Sequence, residues 1–458
     1  MLRDYQQKAI DDIRKQYALG KKRVLLHLAT GGGKTHCFSY MLKGAAEKGT
    51  KALMVVRGRD LVEQASARLH HEGVDHGVYM ANHKLYSPDK NIQICSIDTL
   101  NSRKLRPEAE FIVIDEAHLA TSQSFKEFLA YYADKFILAV TATPYGDSDM
   151  THLADVIVSP IGIQELIDAG YLVDARYFSS PNYIDLSDVK IKKGDYDEKQ
   201  LNEKMTNIKF ISDIVENYKN KGEDRRALVF AVSIEHSKKI EHEFNLAGIK
   251  AVHLDAGASR DERLEVIDAL KNGDIKVIAN VGIFTTGVDI PCLDCIILAR
   301  PTKSVNLYIQ MLGRGTRIYP GKKDFLVLDH SQAVYEHGFI TMPRKINLAK
   351  KKKEKGAMPI KQCPECYAIM PAGTRLCINC EHEFDVSVGG GNNTLDIALE
   401  EVKNPYAKIT ERLVNKQKKR GYKPGWIFHQ LAAKFDESVA SKIYNGYVIP
   451  LHFPELKK

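Results

Sequence analysis

The chain has 458 residues, more than one compact core holds at the usual size of roughly 100–200 residues per domain. Hydrophobic residues make up 44% and charged residues 27%, the balance of a water-soluble globular protein, and no apolar run reaches the roughly 18 residues a membrane span requires. The net charge of +8 is uneven: residues 1–340 carry 45 Lys+Arg against 46 Asp+Glu, whereas residues 341–458 carry 21 against 12. A near-neutral body is thus followed by a basic end, which is either a polyanion-binding region or a solubilising tail.

Met1 to Ile10 contains Arg3, Asp4 and Lys8 and lacks the apolar segment of a secretory signal, so a cytoplasmic location is expected. From residue 23 to about 143, short Val/Ile-rich runs alternate with amphipathic stretches of helical length. The expected strands are Arg23–Ala29, Lys51–Val56, Asn91–Ile97, Phe111–Asp115 and Phe136–Thr143. Continuous apolar strands separated by helices predict a parallel sheet covered on both faces.

Between the first strand and the next helix lies Ala29-Thr-Gly-Gly-Gly-Lys-Thr35. Glycines there let backbone N–H groups wrap phosphate oxygens, and a helix N-terminus adds positive potential. Thr30, Gly31, Gly32 and Gly33 form the cradle, Lys34 would reach the β/γ-phosphates of ATP, and Thr35 would hold Mg through its hydroxyl. The strict spacing asks for a glycine where Leu28 stands. Asp115-Glu-Ala-His118 closes the very apolar strand at 111–115. Asp115 is expected to share the Mg with Thr35, and Glu116 to orient and deprotonate the attacking water.

A second set of strands is expected at Ala227–Val232, Lys250–Ala256, Ile275–Val281, Cys295–Arg300 and Phe325–His330. The polar stretch 171–222 reads as a connection and surface insertion leading into a helix. Gln310, Arg314 and Arg317 read as one helical stretch, with the two arginines three apart on one face. Such arginines can neutralise charge on a transferring γ-phosphoryl.

With these motifs in order, residues 1 to about 340 resemble the superfamily 2 DEAD/DEAH-box helicases. The resemblance implies two RecA-like domains. It makes Leu2-Arg-Asp-Tyr-Gln-Gln7 an adenine-recognition motif, with Gln6 the adenine contact and Arg3 its helper. It gives Thr141-Ala-Thr-Pro144, through Thr141 and Thr143 with His118, the coupling of hydrolysis to strand movement. Val281–Pro291 and Gln310–Arg317 resemble the fifth and sixth motifs, placing Gly287 and Asp289 at the nucleotide. Arg59, Thr99 and Thr285 or Thr286 fall at the family's nucleic-acid contacts, although Asp98 stands where relatives often have Gln. The segment Ala299–Arg317 further resembles the RadD group of DNA-repair helicases, and Gln310, where RNA helicases usually have His, favours DNA over RNA.

Past residue 341 the strand–helix rhythm stops. Lys350–Lys355 is a charged linker and Gly389-Gly-Gly-Asn-Asn393 a flexible joint. Cys363-Pro-Glu-Cys366 and Cys377-Ile-Asn-Cys380 supply four thiolates at the spacing of a structural Zn ribbon. Cys292-Leu-Asp-Cys295 has the same internal spacing but no partner pair nearby, and reads, with Cys37 and Cys95, as buried thiols. In the tail, Lys418, Lys419, Arg420 and Trp426 interleave cations with a ring, which either grips a single strand or forms a small helical core around Trp426 and Phe428. The Gly-Tyr-x-Pro-Gly-Trp element is similar to one in phage-encoded helicases.

The expected architecture is therefore α/β: a RecA-like ATP-binding domain at 1–170, a second RecA-like domain at 171–345, a linker and zinc ribbon at 346–388, and a basic helical module at 389–458. The expected partners are single-stranded or forked DNA and replication or recombination proteins, in a bacterial or phage-infected cell. A DNA-dependent ATPase without strand separation and an adaptor that uses hydrolysis as a switch are the alternatives.

Overall fold

The computed structural model describes residues 2–342 except 81, 147–148, 180–185, 193 and 286–289. Beyond that it describes 344–349, 360–362, 369–371, 382–383, 400–402, 413–414, 416–418, 420, 422–432, 440–441 and 444. The chain forms two compact units: Met1–Leu172 with Thr285–Asp289 and Ile346–Lys351, and Val173–Phe284 with Ile290–Lys345 and Lys352–Lys458.

Seven parallel strands make up the first sheet: β1 (Arg23–His27), β2 (Ala52–Val56), β3 (Gly77–Tyr79), β4 (Ile92–Ser96), β5 (Phe111–Ile114), β6 (Phe136–Thr141) and β7 (Val156–Val158). Their order is β3-β4-β2-β5-β6-β1-β7. Alternate residues of each strand feed two cores. Val24, Leu26, Met54, Ile94, Val113 and Leu138 lie on one face, and Leu25, Leu53, Cys95, Ile112, Ile114 and Ala139 on the other. Burial on both faces is why these strands read as unbroken apolar runs rather than as alternations. The short β3 and β7 were not expected, since three residues each give no periodicity to read.

The second unit's strands are β8 (Asp174–Ser179), β11 (Ala227–Phe230), β12 (Ala251–Leu254), β13 (Val277–Asn280), β14 (Cys295–Leu298) and β15 (Asp324–Asp329), with β18 (Glu400–Val402) at the edge. The order is β12-β13-β11-β14-β15-β8-β18, parallel throughout except for the antiparallel β18–β8 pair. The stretch 171–222, expected as a connection and surface insertion leading into a helix, does lead into the helices Glu198–Met205 and Ile208–Lys221, but it also holds a strand that was not expected. Its Asp174–Ser179 is a sheet strand, disguised because the first half is open to solvent and polar and only the last three residues are buried. Within the same stretch β9 (Ile191–Lys192) and β10 (Asp195–Tyr196) form a small hairpin. Cys292 and Cys295 are buried free thiols, as are Cys37 and Cys95.

Of the cysteine segment, the described part is an antiparallel pair, β16 (Ile360–Gln362) with β17 (Ile369–Pro371). Cys363 and Cys366 fall in sequence between those strands, but all four cysteines lie outside the described residues. In the tail, the helix Gly425–Ala432 buries Ile427 and Leu431 with Val414 and Ala440, and Trp426, Phe428 and Met342 pack against them. Among the described residues no helix is long and apolar enough to cross a membrane.

The second unit also encloses two histidines that burial holds neutral. His330 is driven down to about 3 and His236 to about 4, and both rings face Phe210. The unfolded chain takes up these protons below about 6.5, whereas the folded rings do not until near 4 or lower, so their stabilisation is complete above pH 6.5 and declines as pH falls toward 4. Urea unfolding at pH 7 and pH 5 should therefore show a loss of stability that shrinks in His330→Asn. An equal loss in the variant would remove His330 from that account.

Candidate nucleotide site

The site of the first unit is built by two strand pairs. β1 pairs with β6 so that His27 lies opposite Thr141, and β5 pairs with β6 so that Ile114 lies opposite Ala139. This register brings the loop after β1, the Asp115-Glu116 turn after β5 and Thr141 together at the carboxyl ends of adjacent strands, where ligands of such sheets gather.

The loop Thr30–Gly33 runs into the 14-residue helix Lys34–Glu47, whose N-cap Gly33 has φ +79° and is left-handed. The N-terminal helix Asp4–Ala18 is pinned against this loop. The Tyr5 hydroxyl donates to the Gly32 carbonyl at 3.0 Å and accepts from the Arg3 guanidinium at 3.1 Å. The Gln6 amide reaches the same carbonyl at 3.4 Å, while its Oε1 accepts from the Arg3 N–H at 3.0 Å. A Cβ on Gly33 would sit 2.2 Å from the Gln6 Nε2, so that position combines a left-handed backbone with no room for a side chain. Gln6 is buried and clamps the phosphate loop directly, and Arg3 caps the arrangement over the Tyr171 ring at 4.2 Å. The role of Tyr5 in this clamp was not anticipated; its position between Arg3 and Gln6 was the available signal.

After β5, the Glu116 N–H donates to the Asp115 carboxylate at 2.8 Å, and Glu116 itself takes a left-handed conformation with φ 48°. A non-glycine residue held there costs about 1–2 kcal/mol, a cost found where surrounding structure fixes a side chain for function. Here it turns the Glu116 carboxylate toward His118, whose Nδ1 lies 3.4 Å from it and 3.3 Å from the Thr141 hydroxyl. Thr141 Oγ1 in turn accepts from the Thr143 N–H at 3.2 Å, and both threonines are buried. Glu116, His118, Thr141 and Thr143 are thus one polar chain.

Burial and the neighbouring Glu116 carboxylate raise the pKa of Asp115 well above the usual carboxylate range, and Lys34 opposes them. Two carboxylates packed together beside a lysine favour an added cation, and the oxygen donors of Asp115 and Thr35 suit a hard divalent ion such as Mg. Close by, burial and Lys34 push His27 down to about 4; its Nδ1 pairs with Ser159 Oγ at 3.0 Å and its Nε2 with the Tyr145 hydroxyl at 3.2 Å.

A strap from far along the chain completes this edge. Asn347 forms a parallel bridge with Tyr145 and its N–H donates to the Pro144 carbonyl at 2.8 Å, while the Leu348 carbonyl accepts from the Met150 N–H at 2.7 Å. Residues 346–349 therefore hold the loop that follows Thr141–Pro144.

The remaining candidates are dispersed. Arg59 is exposed and pairs with Glu63 at 3.7 Å. Thr99 is largely buried in the helix Ile97–Ser102, while Asp98 is exposed beside Arg57 at 3.8 Å. In the second unit Gln310 lies on the helix Val305–Leu312, but Arg314 and Arg317 do not share it. Gly313 caps that helix, and the Gly-Arg-Gly sequence turns the chain out of it. Thr285 is described, whereas Thr286, Gly287, Asp289 and Lys419 lie outside the described residues. Lys418 and Arg420 are exposed, and Trp426 is half-buried with Tyr422 against its ring at 4.9 Å.

Residues 1–146 match the family described as type III restriction enzyme, res subunit, and residues 206–319 match the helicase conserved C-terminal domain. The chain belongs to the superfamily 2 helicases. Both parts of an ATP-dependent helicase thus occur here in order, and the two parallel sheets are its RecA-like folds. The chain is 29% identical to a 51.5 kDa protein of a Lactococcus phage, over 89% of this chain and 88% of that one. It is 33% identical to the Saccharomyces cerevisiae protein named for an ATP-dependent helicase, IRC3, over 72% of this chain and 51% of that one, so it spans about half of that relative. The DNA 3'-5' translocase XPB2 of Sulfurisphaera tokodaii is 25% identical over 70% of this chain and 79% of its own length. Among solved structures, a fragment named for an HsdR subunit of a type I restriction enzyme from Vibrio vulnificus superposes with a TM-score of 0.58 at 20% identity, over 74% of this chain and 66% of that one.

Gly33→Ala should weaken ATP binding by about tenfold or more in a fluorescent-nucleotide titration, given a left-handed cost of about 1–2 kcal/mol plus the collision with Gln6. Gly20→Ala, with φ +85° but open space around it, should leave binding unchanged. Equal effects from both would show that the Gln6 contact is not what shapes the loop.

Proposed function

We propose that this protein is an ATP-driven DNA motor that moves on DNA and separates its strands. The observation that carries the reading is the unbroken polar chain from Glu116 through His118 to Thr141 and Thr143 beside the phosphate loop. A change at the γ-phosphate that moves Glu116 is passed to Thr143, in the loop after β6, through three contacts. Thr30–Gly33 and Lys34 bind the phosphates, Gln6 and Arg3 line the adenine side, and Glu116 orients the attacking water and takes its proton. Thr35 and Asp115 would hold Mg, which supplies Lewis-acid polarisation of phosphoryl oxygens when bound. Gly287 and Asp289 serve the nucleotide, and Gln310, Arg314 and Arg317 supply the second unit's catalytic groups, the arginines stabilising charge on the transferring phosphoryl.

Arg59, Thr99, Thr285 and Thr286 are the proposed backbone contacts to DNA, and such contacts carry no sequence information, as stepping requires. Cys363, Cys366, Cys377 and Cys380 form a zinc ribbon, closed to water and so structural, and Lys418, Lys419 and Arg420 give the tail its grip on phosphates. Packing of Trp426 against the small tail core favours a structural part for that ring over base stacking. Membership of the RadD group and a repair or replication setting belong to the same proposal. A second reading, translocation on duplex DNA without strand separation, is favoured by the likeness to XPB2, named as a translocase.

Steady-state ATPase should be stimulated by single-stranded or duplex DNA more than by RNA, and Lys34→Ala should lower turnover by about 10²–10³-fold or more, as loss of one transition-state cation does. Turnover retained in Lys34→Ala would overturn the site, and equal stimulation by RNA would overturn the DNA assignment. Unwinding of a labelled fork separates the two readings. Metal analysis of the purified protein should give about one zinc per chain.

A further inference from the structure

Lys322 lies just beyond the turn that carries Arg314 and Arg317. Its ammonium donates to the carbonyl of Gly315 at 2.6 Å and to the carbonyl of Leu293. Gly315 is the residue between the two arginines' flanks, so the lysine holds the middle of that turn and ties it to the segment entering β14. Two further contacts fix the same turn. The Val173 N–H donates to the Thr316 carbonyl at 2.8 Å, and the Phe325 ring lies so close under Gly315 that a Cβ there would sit 2.2 Å from it.

The charge of Lys322 is not an incidental surface charge. Burial pushes its pKa down to about 8, Asp294 and Cys292 before β14 oppose this, and Arg317 and Arg225 add to it. A cation is therefore kept in a costly place, aimed at two carbonyls, with Arg317 as a like-charged neighbour. That repulsion disfavours any fold-back of the Arg317 guanidinium toward the Lys322 carbonyl cage.

We propose that Lys322 is a positioning residue for hydrolysis: its ammonium fixes the Gly313–Arg317 turn so that Arg314 and Arg317 are presented in one orientation to the phosphoryl group. The inference rests on the reading of those arginines given above. Lys322 acts through the turn it holds. A neutral Lys322 keeps two N–H donors but holds Gly315 through weaker, uncharged hydrogen bonds and no longer repels Arg317. Its positioning is strongest below a pH of about 8 and weakens as pH rises through it.

The test is ATPase turnover of the full chain for wild type, Lys322→Met, Lys322→Arg and Arg317→Ala, across pH 6.5 to 9.5. Lys322→Met should lower kcat by about tenfold to a hundredfold, the size expected for misplaced catalytic groups, while KM for ATP stays within about twofold. Lys322→Arg should restore most of kcat and abolish the alkaline fall expected of wild type near pH 8. A Lys322→Met enzyme with wild-type kcat, alongside an inactive Arg317→Ala enzyme, overturns the positioning role alone. Full turnover in Arg317→Ala overturns the arginine reading and this inference with it. Should Lys322→Met not fold, coincident alkaline limbs in wild type and Lys322→Arg overturn the proposal.

Discussion

The nucleotide site depends on the register of one strand pair. Because β1 and β6 run parallel with His27 opposite Thr141, the phosphate loop and the Thr141–Pro144 segment leave the sheet at the same level. A one-residue slip would turn every side chain of the strand to the opposite face and exchange its contributions to the two cores that flank the sheet. Apolar burial on both faces therefore specifies the register. The candidate site inherits that precision: the Asp115-Glu116 turn, one strand over, is set by β5 against β6 in the same way. Of these polar groups His27 and Thr141 close the strands themselves, and the rest follow directly after a strand end.

Buried polarity is arranged differently in the two units. In the first, Asp115, Glu116, Lys34 and His118 gather ionisable side chains at the strand ends. In the second, Asp329 is satisfied entirely by protein, accepting from Ser331, Val334 and Ser179. Neither ring nitrogen of His330 has a hydrogen-bond partner among the described residues. Carboxyl ends of the two sheets thus carry an ionisable cluster in one case and a closed structural knot in the other.

The central strands were legible because double-sided burial writes itself as Val/Ile runs, and the phosphate loop and acidic turn because their residue types are chemically constrained. What escaped notice was set by tertiary context. β8 is polar over its first half and gains its identity from pairing with β15. The helical reading of Arg314 and Arg317 followed their spacing, but Gly313 and Gly315 and the Phe325 ring decide the backbone there. Lys322 stands in a Gly-Lys-Lys run, and nothing in sequence reveals which lysine points inward. The strap at Asn347 was invisible for the same reason: its partner Tyr145 lies about two hundred positions earlier in the chain.

That strap has a consequence for the order in which the protein is made. Residues 1–172 contain the whole first sheet, yet the segment that holds the loop after Thr141–Pro144 comes only at 346–349. At ribosomal speeds of about 5–20 residues per second, the first unit waits roughly ten to thirty seconds for its last piece. Its phosphate loop and acidic turn can form early, while the Tyr145–Met150 loop stays unheld until residues 346–349 have been translated. The nascent chain thereby finishes its first unit only after most of the second has been made.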